Sequence, residues 1–242
     1  MGMPITVEIV DASVTDAVFE EVFTYFTSVD ERFSTYKDTS EITKINKGLI
    51  KPSEYSEDMK LVFALSEETK QLTRGFFDIV SRDGTIDPSG LVKGWSIYHA
   101  GELLKKKGCK NFFIDAGGDV EVFGRNAQGE LWSVGIRHPF KEHEIVKVVN
   151  LEDQGIATSG TYIRGQHIYN PFAKDQPLTD IVSLTVIGPN VYEADRFVTA
   201  AFAMGKAGIS FIERTPGLEG YMIDKNSIAT MTSGFERYVR LV

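Results

Sequence analysis

Three groups of residues in this chain have types and spacings that could do chemistry. In DGTIDPSGLVKGW, residues 83–95, Asp87, Gly90 and Lys93 gather at a helix start. Asp87 suits an N-cap and Pro88 a first helical residue, so one reading is a plain helix beginning. The other reading starts from charge. The first N–H groups of a helix lack partners and make that end electropositive. A lysine there adds like charge, which an anion such as a phosphate would offset. Gly90 and Gly94 each cost about 1 kcal/mol against alanine in a helix, a cost easier to bear where something packs closely. The second group is Asp195 and Thr199 in EADRFVTAAF, four apart and so on one helix face. They offer hard oxygens to Mg²⁺ or Ca²⁺; equally, Asp near a helix start suits the dipole and Thr can bond back to the preceding turn. The third is His167 in TYIRGQHIYNP, either a structural strand histidine or a general base near neutral pH. Phe76 and Phe77, beside Asp78, are core aromatics or a wall for a planar ring, and Tyr36 is an aromatic in a polar loop.

These residues need elements to hold them. ITVEIV reads as a strand, and residues 13–34 as an amphipathic helix with Ser13 or Thr15 as cap. A short helix is expected over 40–46, and a longer one from SEDMKLVF to Gly75. Beyond residue 111 short apolar runs alternate with turn residues, the texture of neighbouring antiparallel strands. AGGDV, 116–120, reads as a turn between two of them. A helix follows Asn190 and ends before Gly205; a shorter helix and two strands complete the chain. Helices concentrate early and strands late, which favours α+β over regular βαβ alternation, in one domain over 1–242.

Composition narrows the function. The net charge of −8 argues against non-specific nucleic-acid binding, while leaving room for a local anion site. Cys109 is the one cysteine, so no internal disulfide forms, and its place in KKKGCKNFF suits a small strand-entry residue better than a nucleophile. No run of 18 apolar residues marks a membrane span, and the N-terminus lacks the basic-then-apolar pattern of an export signal. A cytoplasmic protein is expected, an exported one with its signal removed being the alternative. No dinucleotide fingerprint, P-loop, zinc spacing or nucleophile elbow occurs.

The order of the motifs is more telling than any one of them. FSTYKDTSEITKIN, TRGFFD, DPSGLVKGW, DAGGDVEVFG, WSVGIRHP, ATSGTY, HIYNP and ADRFVTAAFAMG, after an opening MG and ITVEI, together resemble the ApbE family of FAD:protein FMN transferases. The resemblance implies an α+β, T-fold-like domain of mostly antiparallel sheets with packed helices. It implies Mg²⁺-dependent splitting of FAD, joining of FMN to a Thr or Ser hydroxyl of a partner flavoprotein carrying a D-G-x-T-[S/G/A]-x-T-like segment, and release of AMP. By the same resemblance Gly90, Asp195 and Thr199 hold the metal, His167 is the catalytic base, and Met1, Tyr36, Phe76, Phe77, Asp78, Asp87, Lys93 and Tyr169 contact FAD. An FAD pyrophosphatase, with water as acceptor, and a non-catalytic flavin-binding protein are the alternatives.

Three departures qualify the match. Eight residues separate Asp78 from Asp87, fewer than in many members, so the flavin pocket is expected to be more open or shaped for another partner. Met1 falls on an internal Met-Gly of longer members. Asn170 stands where the family has Asp in HxxDP, a turn position that Asn also serves.

Overall fold

Two helices meet at the centre of the molecule, and the rest of the fold places them. The computed structural model describes residues 2–12, 14–81, 83–141, 144–161, 168–173 and 178–240. The helices are α1 (Asp16–Phe33), α2 (Glu41–Asn46), α3 (Glu57–Leu72), α4 (Ser89–Lys106), α5 (Val191–Ala203) and α6 (Gly208–Glu213). The strands are β1 (Ile5–Ile9), β2 (Phe112–Ala116), β3 (Asp119–Phe123), β4 (Trp132–Arg137), β5 (Ile145–Leu151), β6 (Gln154–Gly160), β7 (Ile181–Gly188), β8 (Glu219–Asp224) and β9 (Ala229–Met231).

Local chemistry explains the boundaries. In α1, Val22, Phe26, Val29 and Phe33 recur every three or four residues and form the buried stripe. Thr15 occupies its N-cap position but makes no side-chain cap bond, contrary to the capping expectation; Ser13 lies outside the described residues. Ser40 and Ser56 do cap α2 and α3, accepting from Thr43 N and Met59 N at 3.2 Å, each worth about 1 kcal/mol. Beyond α3, Gly75 takes φ +84° and its N–H returns to the Lys70 carbonyl at 2.7 Å.

Seven strands form one antiparallel sheet in the order β1-β2-β3-β6-β7-β8-β9. The β4–β5 hairpin stays outside it as a two-stranded sheet. Strand alternation gives the large sheet two different faces. Phe112 and Ile114 point to a core shared with α1 and α4, while α5 and α6 pack against Leu184, Val186 and Met222. On the other face Trp132, Ile136, Val149 and Leu151 of the hairpin cover Val120, Ile156 and Tyr221. The Gly117-Gly118 turn joining β2 to β3 has φ +62° and +94°, the pair of positive values that a tight hairpin needs.

Helix α4 is buried on most of its circumference, from Leu91 and Val92 to Trp95, Ile97 and Leu104. It crosses α5 at Gly94, where a Cβ would stand 2.5 Å from Asp195 Cβ and 2.7 Å from the Val191 carbonyl oxygen. The other end of that contact is fixed by caps. Asn190 Oδ1 accepts from Glu193 N at 2.9 Å, and the buried Glu121 of β3 accepts from Val191 N at 2.6 Å. Among the described residues no helix is long and apolar enough to cross a membrane.

Candidate functional site

The first turn of α4 begins one residue later than its sequence suggests. Pro88 is the N-cap and Ser89 the first helical residue. The cause lies upstream: Asp87 N donates to the Ile79 carbonyl at 2.7 Å, which ties Asp87 to the preceding turn. Its carboxylate still serves the helix, accepting from Ser89 N at 3.0 Å. From this turn the Gly90 carbonyl accepts from Thr199 Oγ1 at 3.3 Å. Gly94 N, one turn further along the helix, donates to Asp195 Oδ2 at 2.7 Å. Helices α4 and α5 are thus joined through the residues that their spacing singled out.

Lys93 completes the arrangement in a way its position in the helix did not foretell. Its Nζ lies 2.5 Å from Asp119 Oδ2 and 3.9 Å from Asp195 Oδ1. Two buried carboxylates therefore offset the lysine, where an external anion had been expected to. Asp119, which no motif in the sequence marks, joins the candidate site through Lys93. It directly follows Gly117-Gly118, so the tight turn that looked like a plain hairpin delivers a carboxylate under α4. Its other oxygen accepts from Thr158 N on β6 at 3.0 Å. Burial is the main force raising the Asp195 carboxyl above the usual carboxylate range; Lys93 pulls it down and Asp119 pushes it up.

Three cavities open around this turn. One of about 180 Å³ is bounded by Phe76, Phe77, Asp78, Asp87, Tyr169 and Thr199. A second of about 350 Å³ is reached by Gly90, Lys93, Gly117, Thr158, Asp195 and Thr199. A third of about 480 Å³ runs past Val29, Phe33, Tyr36, Asp87, Val92 and Lys93. Ser89 borders all three, so the α4 start is their junction. A long, jointed ligand with a charged middle fits such a space better than a compact one.

The individual residues divide by environment. Phe77 is buried in the helical core and turns an edge to the first cavity, so it is both core aromatic and wall. Phe76 meets Phe172 edge-on at 4.9 Å between centroids. Asp78 pairs with Lys70 at 2.7 Å. Tyr36 is 98% exposed at the rim of the third cavity, free of packing that would fix its ring. Residues 168–170 form no strand, and Tyr169 reaches the first cavity from an irregular segment. Met1 and His167 lie outside the described residues. Cys109 is buried, which raises its thiol and suits a packing role.

The donor set can be tested for a cation. One carboxylate, one hydroxyl and one backbone carbonyl converge, all hard oxygens, with no cluster of three acidic, histidine or cysteine side chains among the described residues. Lys93 with Asp119 and Asp195, both carboxylates ionised, leaves one negative charge in a buried setting. A divalent oxygen-seeking cation fits that charge and that donor chemistry, its remaining positions falling to ligand oxygens and water.

The profile of the ApbE family matches residues 1–83 and 80–222. The chain belongs to the ApbE family. Among curated relatives, the FAD:protein FMN transferase of Klebsiella pneumoniae (strain 342) is 31% identical over 150 residues, covering 58% of this chain and 43% of that protein. The Haemophilus influenzae protein of the same name is 22% identical over 296 aligned positions, covering 94% of this chain and 86% of its own length. The match thus spans less than half of the first of these relatives. The fold agrees throughout. A flavin transferase ApbE from Vibrio cholerae superposes with a TM-score of 0.85 at 20% identity, covering 98% of this chain and 96% of that one. The ApbE protein of Thermotoga maritima gives 0.84, also at 20% identity. In this ApbE-family chain the α+β expectation, with mostly antiparallel strands, therefore holds.

Proposed function

We propose that this protein transfers FMN from FAD to a hydroxyl of a partner protein and releases AMP, with Mg²⁺ bound by Gly90, Asp195 and Thr199. The observation that carries the reading is the junction at α4, where three cavities meet a set of hard oxygens beside a lysine. FAD has two ring systems and a pyrophosphate between them, which matches two flanking spaces and a charged middle. The relatives are FAD:protein FMN transferases, which supplies the donor and the kind of acceptor for this reading. When bound, Mg²⁺ would neutralise the pyrophosphate and stabilise charge developing on it.

The protein's own residues have assignable work. Asp195 and Thr199 project from one face of α5 and present oxygens beside the Gly90 carbonyl. Lys93 holds Asp119 and Asp195 in place and borders the anionic middle of the ligand. Phe77 walls one end of the pocket, and Phe76, Asp78, Asp87 and Tyr169 line it; Tyr36 borders the other. His167 takes the proton of the accepting Thr or Ser hydroxyl, whose oxygen bonds to the phosphorus on the FMN side. The bond from that phosphorus to the bridging oxygen breaks, and AMP leaves with the electron pair. His167 is assigned from its match to the family's HxxDP segment, and Met1 at the flavin pocket from its match to an internal Met-Gly of longer members.

One incubation tests this. The protein is mixed with FAD and Mg²⁺, with and without a peptide containing DGATSAT, and AMP and peptide mass are followed. AMP together with an FMN-modified peptide is expected. AMP with free FMN and unmodified peptide would replace transfer with FAD hydrolysis. Bound FAD with no AMP would leave a flavin-binding protein.

A further inference from the structure

The β4–β5 hairpin has one occupied edge and one open edge. On the outer side of β5, Val149 bridges Val239, and Arg240 N donates to the Val148 carbonyl at 2.9 Å. On the outer side of β4 no main-chain hydrogen bond is made among the described residues. Such an edge presents a row of unpaired N–H and C=O groups, from every second residue. Residues 132–136, WSVGI, contain neither proline nor charge, the usual devices that discourage an added strand.

What lies beside this edge is a cleft of about 180 Å³. Ser133, Val134, Gly135, Ile136 and Arg137 all line it. Side chains of a strand alternate between faces, so five successive residues on one cleft mean that the edge of β4 faces it. The opposite wall is the large sheet, through Asp115, Val120, Ile156 and Thr158. The cleft continues into the cavity that holds Lys93, Asp195 and Thr199, since Asp115, Gly117, Gly118, Thr158 and Arg137 border both spaces. Arg137, exposed at the site end of β4, has no ion-pair partner among the described residues.

We infer that an extended segment of the acceptor protein adds as a strand to the open edge of β4, with an acidic residue on Arg137, and so carries its hydroxyl into the site. The inference rests on the transferase reading, which requires a protein hydroxyl to reach this cavity. Main-chain pairing explains how one enzyme would hold an otherwise flexible segment in register, with side-chain pockets adding selectivity. The continuity of cleft and site, together with the unpaired cation at their junction, favours such a segment over a second copy of this acidic chain.

The test uses the full protein with FAD and Mg²⁺. The DGATSAT peptide reports transfer, and a twin with valine at both threonines and alanine at the serine, which has no side-chain hydroxyl, reports docking. The twin is added at a concentration that blocks most transfer to the reactive peptide, and amide hydrogen exchange is read over 132–137. Slowed exchange there is expected. In steady state, Arg137→Glu should raise the peptide KM about tenfold or more with kcat changed far less, and Arg137→Lys should restore most of it. Modified peptide with unchanged exchange over 132–137, or an unchanged KM in Arg137→Glu, overturns the docking site while leaving the transferase in place. Absence of both AMP and modified peptide overturns the transferase reading, and this inference with it.

Discussion

Asp195 is pulled two ways, and its place in the chemistry follows from that. Burial and Asp119 favour its neutral form; Lys93 and the Gly94 N–H favour its charged form. A divalent cation at the same oxygens would settle the balance on the charged side. Asp195→Asn keeps size and the acceptor oxygen for Gly94 N but lacks the charge. It should lose Mg²⁺ binding by calorimetry and reduce AMP release at least about a hundredfold, a scale set by the loss of a directly acting charge. Full-rate AMP release by this variant would exclude Asp195 from the metal site. His167 has a different signature. His167→Ala should retain FAD affinity, measured by flavin fluorescence, while transfer falls by about two to four orders of magnitude, the usual worth of a general base. Equal loss of binding and transfer would assign it to the pocket instead.

The crossing of α4 and α5 turns separate residues into a site. Gly94 shows this most directly, because a methyl there would press on Asp195 Cβ and the Val191 carbonyl. Helix propensity alone would make Gly94→Ala stabilising by about 1 kcal/mol. Overpacking at a backbone contact opposes that by about 1–3 kcal/mol, so net destabilisation is expected, with loss of Mg²⁺ binding as α5 moves away. A urea midpoint that rises in this variant would contradict the close packing. Both helices, their contact glycine and the Asp195–Thr199 spacing were legible in the sequence, since each is a local pattern. Asp119 was not. Its meaning depends on a hairpin turn placing it opposite Lys93, 26 positions away in sequence, and periodicity does not encode such pairing. The open edge of β4 was hidden for a related reason. β3 skips the next two strands and pairs with β6, and that skip leaves the hairpin outside the sheet. The strand expected around His167 does not extend over 168–170, an irregular segment that brings Tyr169 to the cavity; His167 itself lies outside the described residues.

Across the whole molecule, stability and ligand binding meet in the buried carboxyls beneath the two helices. Glu121 sits inside the fold with its Oε2 on Val191 N, at the start of the helix that carries Asp195 and Thr199. Burial pushes its carboxyl up to about 8 from an ordinary 4.5, against the pull of that hydrogen bond. A raised acid binds its proton more tightly when folded than when unfolded. The stabilisation from the protonated form is therefore full below about pH 4.5 and is lost as pH rises towards about 8. Asp195, also raised by burial, acts in the same sense. Asp11 and Asp30 are lowered and act oppositely, but only below the ordinary carboxylate range; His99, lowered by burial from an ordinary 6.5, does oppose the trend inside the window, one imidazole against two raised carboxyls. The metal-free protein should thus lose urea resistance from about pH 5 to about pH 8. Glu121→Gln keeps an oxygen for Val191 N and removes the titration, so its urea midpoint should fall less over that interval than the parent's. Parallel curves for the two proteins would show that Glu121 stays ionised in the fold. Mg²⁺ with FAD should flatten the parent's curve from the other side, because a ligand that needs Asp195 ionised binds more strongly as pH rises and stabilises only the folded state. The same buried charge that makes the empty fold pH-sensitive is, on this account, what gives the cation its place.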